Sequence, residues 1–150
     1  MIDNPTVADM MEAYSLDAVD MAKSNFGEEL DFSERSVQVV ERCLKQLRDT
    51  IPKGFFGKLV GRGPSSEDIE TVAKMFGGYI GEVFRKHHGG EWIIDETMDV
   101  HDPVIAVQHS SGGKFFPPAK AHKRITNGQE DNVWVYYQVL TREYIKRAQE

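Results

Sequence analysis

The sequence predicts an α+β fold in which N-terminal helices come first, a small antiparallel sheet of about three strands follows, and C-terminal helices complete a single domain over residues 1–150. In the first half of the chain, apolar residues recur every three or four positions, which is the period of an amphipathic helix. After Gly89-Gly90 the pattern changes to short runs rich in branched and aromatic residues, which is typical of strands. Helical spacing returns after Pro117-Pro118.

The composition is that of one globular domain. A chain of 150 residues with 40% hydrophobic and 28% charged residues is long enough to bury one core. The N-terminus has neither the basic nor the apolar region of a signal peptide, and no apolar run approaches the roughly 20 residues of a membrane span. With Cys43 as the single cysteine, no internal disulfide forms. We therefore expect a cytoplasmic protein with no membrane contact.

The first two helices are predicted from their capping residues and apolar stripes. Asn4-Pro5 begins the first helix and Gly27 ends it. Its predicted buried stripe consists of Val7, Met10, Met11, Tyr14, Ala18 and Met21. Ser33 is the predicted N-cap of the second helix, which stops near Pro52. Its buried stripe consists of Val37, Val40, Leu44 and Leu47, and Cys43 on the same side is expected to be a core residue rather than a nucleophile.

The connection "PKGFFGKLVGRGPSS" is rich in glycine and is predicted to be partly irregular. Two interpretations remain open for Phe55 and Phe56: they fill a gap in the core, or they belong to an exposed recognition loop. The segment lacks the Gly-Lys-Ser/Thr ending of a phosphate loop, so we expect no phosphate site at the helix that follows.

The third helix is predicted to begin at Ser65 or Ser66 and carries Gly77, Gly78 and Gly81 inside its apolar period. Because these glycines do not stand between a strand and a helix, they do not form a dinucleotide-binding loop. Each costs the helix about 1 kcal/mol relative to alanine, so a compensating contact is expected. The sequence favours a notch into which another part of the backbone packs, and a ligand in the notch is the alternative.

The second half of the chain is predicted to form the sheet and two further helices. "EWIIDE", "PVIAVQH" and "KFFP" are the predicted strands, and "SSGG" predicts a hairpin between the last two. Pro117-Pro118 begins a short helix through Ile125, closed at Asn127-Gly128. Asp131 or Asn132 caps the final helix.

Residues from roughly Glu67 to Tyr137, about half the chain, carry a series of short motifs in a fixed order: "GYIGE" on a helix, "GGEW" at the start of a strand, then "FP", "KRI" and "NG". This order resembles an uncharacterised bacterial family classified only as a domain of unknown function. The resemblance implies an α+β domain and a bacterial origin. It implies no activity and no catalytic residue.

The residues with chemical potential are not arranged as a known reaction or metal centre. The five histidines lack the i, i+4 spacing with glutamate of a zinc protease, so no metal or cofactor is expected. Glu82 and Arg85 stand three residues apart on one helix, which is typical of a surface ion pair. The basic residues are scattered and the net charge is −6, which argues against nucleic-acid binding.

Negative charge is concentrated at the start of the chain, where the first 34 residues contain nine acids and one base. Such a region is either a solvated face that keeps the protein soluble or a surface that attracts basic partners. Opposite the predicted stripe of the first helix, Leu16 stands among Asp9, Glu12 and Asp20, which resembles the centre and rim of a recognition patch. Alternatively, Leu16 is a single exposed leucine, or the C-terminal helix covers it.

Two functions follow as hypotheses. The first is a non-catalytic protein-binding module, in its most specific form an immunity protein that neutralises a basic toxin domain through the acidic face and exists as a monomer or weak homodimer. The alternative is a small-ligand-binding protein or an enzyme that uses the glycine notch, with Gly81, Glu82, Trp92, Lys123 and Arg124 as its predicted site. A toxin-like gene next to the gene for this protein supports the first hypothesis, and a metabolic gene cluster supports the second.

Overall fold

The computed structural model describes residues 4–51, 66–97 and 104–149. Its elements are α1 (Val7–Phe26), α2 (Ser36–Thr50), α3 (Ser66–His88), β1 (Glu91–Asp95), β2 (Val104–Gln108), β3 (Lys114–Phe115), α4 (Pro117–Thr126) and α5 (Val133–Gln149), with a 3₁₀ turn at Gln129–Asp131 between α4 and α5. This order confirms the predicted α+β fold. The predictions for Phe55 and Phe56 lie outside the described residues.

Helix α3 is the centre of the fold. From Met75 to Phe84, every residue except Glu82 is buried. A helix that is buried on nearly all sides must have neighbours on several faces. Helices α1 and α4 pack against α3 most extensively, and the sheet begins directly after it.

The three glycines of α3 each admit a different neighbour. A Cβ on Gly77 would lie 2.4 Å from the Cα of Pro118, at the start of α4, and a Cβ on Gly78 would lie 3.0 Å from a backbone oxygen of α1. A Cβ on Gly81 would lie 2.2 Å from the ring of Trp92, at the start of β1. The distances at Gly77 and Gly81 are shorter than real Cβ contacts, and the distance at Gly78 would be an unusually tight contact. The predicted close approach of another backbone is therefore confirmed at Gly77 and Gly78, whereas at Gly81 the neighbour is a side chain, the indole of Trp92.

The sheet is antiparallel, with β2 between β1 and β3. In the register of the first pair, Glu91 lies opposite Gln108. The predicted hairpin between β2 and β3 is confirmed: the N–H of Gly112 donates to the carbonyl oxygen of His109 at 2.9 Å. Gly112 has a φ of 96°, a left-handed conformation that glycine adopts without steric cost.

Helix α1 buries most of its predicted stripe: Met11 and Ala18 are buried, and Val7, Tyr14 and Met21 pack partly buried against the core. Its buried residues are Met11, Ser15, Ala18 and Ala22, whereas Met10 is 39% exposed. The predicted stripe is therefore wrong at Met10. Met11 faces Gly78 of α3 with its backbone oxygen and its Cε. Met10 is rotated about 100° from Met11 around the helix axis and is turned towards solvent.

Helix α2 begins three residues later than its predicted cap. Ser33 caps a turn instead, its Oγ accepting the N–H of Ser36 at 3.2 Å. Directly before the turn, Phe32 has a φ of 63°, which is uncommon for a bulky residue. The hydroxyl of Tyr79 stabilises this conformation by accepting the N–H of Phe32 at 2.7 Å.

The predicted start of α1 at Asn4-Pro5 is two residues too early, because Thr6 is the N-cap and the helix begins at Val7. The other helix predictions that fall on described residues agree with the structure. The stripe of α2 is buried at Val37, Val40 and Leu44. Helix α4 begins at Pro117 and ends at Thr126. The side-chain oxygen of Asn132 accepts the N–H of Val135 at 2.9 Å, so Asn132 caps α5.

Candidate functional site

The predicted acidic face lies on the solvent side of α1. Asp9, Glu12, Leu16 and Asp20 are all exposed. Leu16 exposes 54% of its surface, so the C-terminal helix does not cover it. Within the described part of the chain, the carboxylates of Glu12 and Asp20 make no hydrogen bond or ion pair. These two side chains and Leu16 are therefore available to a partner without loss of an internal contact.

Asp9 differs from the other acids of this face because it also caps the helix. Its carboxylate accepts the N–H of Thr6 at 3.0 Å, and the hydroxyl of Thr6 accepts the N–H of Asp9 at 3.1 Å. This reciprocal pair is a capping box. A substitution at Asp9 therefore changes the stability of α1 as well as the charge of its face.

Gly81, Glu82 and Trp92 meet where α3 joins β1. The indole ring fills the space above Gly81, and its N–H donates to Glu82 at 2.9 Å. Arg85 donates to the same carboxylate at 2.6 Å, which confirms the predicted ion pair, and to the carbonyl oxygen of Gly90 at 3.0 Å. The notch at Gly81 thus holds a side chain of the protein itself.

Arg124 and Lys123, the other two residues of the predicted ligand site, have different surroundings. Arg124 is 2% exposed and donates through Nε and Nη2 to Glu41 of α2, each at 2.9 Å from Oε2. Glu41 also accepts the backbone N–H of Val133 at 3.0 Å, so this buried pair connects α2, α4 and α5. Lys123 is exposed. The residues of the predicted ligand site therefore do not lie together. Gly81, Glu82 and Trp92 meet where α3 joins β1, Arg124 is in the core, and Lys123 is on the surface.

A polar network that the sequence did not predict connects the start of α2 with α3 and α5. Glu34 Oε2 accepts the hydroxyl of Tyr137 at 2.6 Å and the imidazole N–H of His88 at 2.8 Å. Burial acts to raise the pKa of Glu34, but these hydrogen bonds outweigh it and hold the pKa below its usual value. Burial, together with the bond to Glu34, raises the pKa of Tyr137. The partners are 54 and 103 residues from Glu34, so no local spacing could reveal them.

The remaining groups with chemical potential have structural surroundings. Burial raises the pKa of the Cys43 thiol to about 12, so the thiol stays protonated, and the prediction of a core residue is confirmed. In residues 4–51, 66–97 and 104–149, no group of three histidine, cysteine, aspartate or glutamate side chains is placed to hold a metal ion. His101 lies outside these ranges.

Comparison of the chain with protein-family models, with curated proteins and with solved structures gives no match in any of the three. The resemblance of residues 67–137 to a bacterial domain family therefore stays a prediction. No helix in the described ranges has the length and apolar character needed to cross a bilayer.

Proposed function

We propose that this protein is a non-catalytic bacterial binding module that holds a basic protein partner on the exposed face of α1. In its most specific form, it is an immunity protein that acts in the cytoplasm and neutralises a toxin by covering a basic cleft. The residues proposed to contact the partner are Asp9, Glu12, Leu16 and Asp20.

The observation that carries the proposal is the exposure of Leu16 within a ring of carboxylates. Leu16 is 54% exposed, and Glu12 and Asp20 each stand one helical turn from it on the same side of α1. An apolar centre with a charged rim is the usual composition of a protein interface. Burial of the exposed part of Leu16 in a partner would contribute about 1 kcal/mol, and hydrogen bonds to charged groups would add specificity.

The distribution of charge supports a basic partner. The first 34 residues carry nine acids and one base, whereas the rest of the chain carries 15 acids and 17 bases. An excess of negative charge on one part of a protein surface steers an oppositely charged partner to that part and raises the association rate. Because salt screens charges beyond about 10 Å at 0.1 M, this rate is expected to fall as salt is added.

The ligand-binding hypothesis has less support. Trp92 fills the space above Gly81, and the backbone at Pro118 fills the space above Gly77. Arg124 is committed to Glu41. Four of the five residues proposed for a ligand, all but the exposed Lys123, therefore contact other parts of the protein.

The test compares a charge reversal on the α1 face with an equal reversal elsewhere. Glu12→Lys/Asp20→Lys changes the face, and Glu91→Lys/Glu96→Lys changes two exposed acids at β1. Both double variants alter the net charge by the same amount. The binding partner is the product of a toxin-like gene next to the gene for this protein, and its affinity is measured by titration calorimetry.

We expect the face variant to bind at least about tenfold more weakly, because attraction becomes repulsion at two positions, while the control keeps its affinity. Growth of cells that express the toxin should be rescued by the control and not by the face variant. Equal affinities of the two variants would show that α1 is not the interface.

A further inference from the structure

Helix α5 presents an outward face whose charge is opposite to that of the α1 face. Val135 and Val139 expose 54% and 48% of their surfaces. At about 100° per residue, Arg142 and Lys146 continue the same sector of the helix. Both are exposed, and neither makes a hydrogen bond or ion pair with another described residue. We call these four residues the α5 face.

The two faces match in length and in composition. Asp9 to Asp20 on α1 and Val135 to Lys146 on α5 each extend over about 16 Å of helix axis. Each has an exposed apolar part, Leu16 on α1 and the valines on α5. The acids of α1 have their complement in the two cations of α5. The α1 face and the α5 face are therefore complementary surfaces, each with an exposed apolar part and with charges of opposite sign.

We propose that the α5 face of one molecule docks antiparallel on the α1 face of a second copy, so that the protein associates head to tail. When Leu16 lies between Val135 and Val139 of the second copy, Glu12 comes opposite Arg142 of that copy. The contact then combines apolar burial with a charge-assisted pair.

The antiparallel direction follows from the remaining charges. Lys23 lies two helical turns after Leu16 on the same side of α1. In the antiparallel direction Lys23 points towards the start of α5 in the second copy, where Glu130 is exposed in the preceding 3₁₀ turn. The parallel direction would instead bring Lys23 towards Lys146, and like charges at an interface are unfavourable.

The association is expected to be weak. One helix pair buries less surface than the roughly 1,200 Å² of a stable complex, and two molecules with a net charge of −6 repel each other at long range. Such a contact joins two different surfaces of the protein, so each bound molecule leaves one surface free for another copy. The products are closed rings or open linear oligomers. The contact uses the same α1 face as the proposed function but does not depend on the existence of a toxin.

The experiment uses two complementary charge reversals and their mixture. Glu12→Lys reverses the α1 face, and Arg142→Glu reverses the α5 face. Sedimentation equilibrium at concentrations up to about 1 mM, in about 0.1 M salt, gives the weight-average mass of each sample relative to the 17.0 kDa of one chain. Circular dichroism shows that each variant is folded.

The wild-type mass should rise above 17.0 kDa with concentration. Each variant alone should associate at least about tenfold more weakly, because its own two faces now repel. An equal mixture should recover association, since the reversed α1 face of one variant then meets the reversed α5 face of the other, and the two unchanged faces also meet. A wild-type mass that stays at that of one chain would overturn the proposal. Undiminished association of Glu12→Lys alone would also overturn it, because it would show that α5 pairs with something other than α1.

Discussion

The ring of Trp92 occupies the space that any side chain at Gly81 would need. A Cβ at Gly81 would lie 2.2 Å from Cη2 of the indole. This contact sets the position of β1 against α3, because the indole N–H is also bonded to Glu82 in the same turn of the helix. The glycine is thus required by a neighbour that follows it by eleven residues.

Gly81→Ala is predicted to destabilise the protein by about 1 to 3 kcal/mol, the usual cost of overpacking. Without the clash, the same change would stabilise a helix by about 1 kcal/mol, so the sign of the effect is diagnostic. Urea denaturation measures the free energy of unfolding. In a Trp92→Phe background, the cost of Gly81→Ala should shrink, because the clashing part of the indole is gone.

Gly77→Ala provides the matched control for this cycle. Its Cβ would meet the backbone of Pro118 rather than Trp92, so Trp92→Phe should not reduce its cost. Equal coupling of Trp92→Phe to both glycines would contradict the assignment of one neighbour to each glycine.

Asp9 and Glu12, both acids of the α1 face, are predicted to differ in their effect on stability. Asp9→Ala should lower the free energy of unfolding by about 0.5 to 2 kcal/mol, because it removes one half of the capping box with Thr6. Glu12→Ala should change it by less than about 0.5 kcal/mol. Thermal unfolding monitored by circular dichroism distinguishes the two, and equal losses would argue against the capping role.

The buried pair of Glu41 and Arg124 is predicted to show strong coupling. Glu41→Leu alone leaves the guanidinium without its partner and should cost about 3 to 5 kcal/mol. The double variant Glu41→Leu/Arg124→Met should be less destabilised than Glu41→Leu, since no charge is then left buried. Denaturation at pH 7 gives the values. Arg124→Met is measured as the second single variant. If the loss of stability in the double variant equals the sum of the losses in the two single variants, the pair does not act as a unit.

Asp95 is predicted to make the protein sensitive to acid. Hydrogen bonds from the hydroxyl and the N–H of Thr97, and then from Lys114, lower the pKa of Asp95 from 3.8 to about 2. Because the pKa is lower in the folded state, the stabilisation is present above pH 3.8 and is lost as the pH falls towards 2. Asp95→Asn should flatten the dependence of stability on pH in this range. Glu96→Gln, a change at the exposed neighbouring residue, is the control. If the stability of Asp95→Asn falls with pH as steeply as that of the wild type, Asp95 is not the source of the acid sensitivity.

The order and type of the elements could be predicted because local signals agree with the fold. Pro117 begins α4, Asn132 caps α5 and the "SSGG" turn closes the hairpin, as their local chemistry requires. The central position of α3 could not be predicted, because its glycines show only that something packs closely and do not show what.

The buried face of α1 was predicted incorrectly at Met10 for a related reason. Apolar spacing shows the direction of the buried face but not its width: Ser15 and Ala22 are buried within this face, whereas Met10 lies outside it. Contacts between buried residues that are distant in sequence could not be predicted either: Arg124 donates to Glu41, which is 83 residues away. In contrast, the exposure of Leu16 was predicted, because it follows from the direction of one helix face.

The most direct test of the α1 face as a recognition surface is the affinity of Leu16→Ala for the toxin encoded by the neighbouring gene, compared with that of Met10→Ala. Both are exposed apolar residues of the same helix, 54% and 39% exposed, and they lie about 120° apart around its axis. Leu16→Ala should weaken binding by at least about fivefold, the effect of losing about 1 kcal/mol, whereas Met10→Ala should bind as the wild type does. Unchanged affinity of Leu16→Ala, or an equal loss in Met10→Ala, would contradict this role of the α1 face.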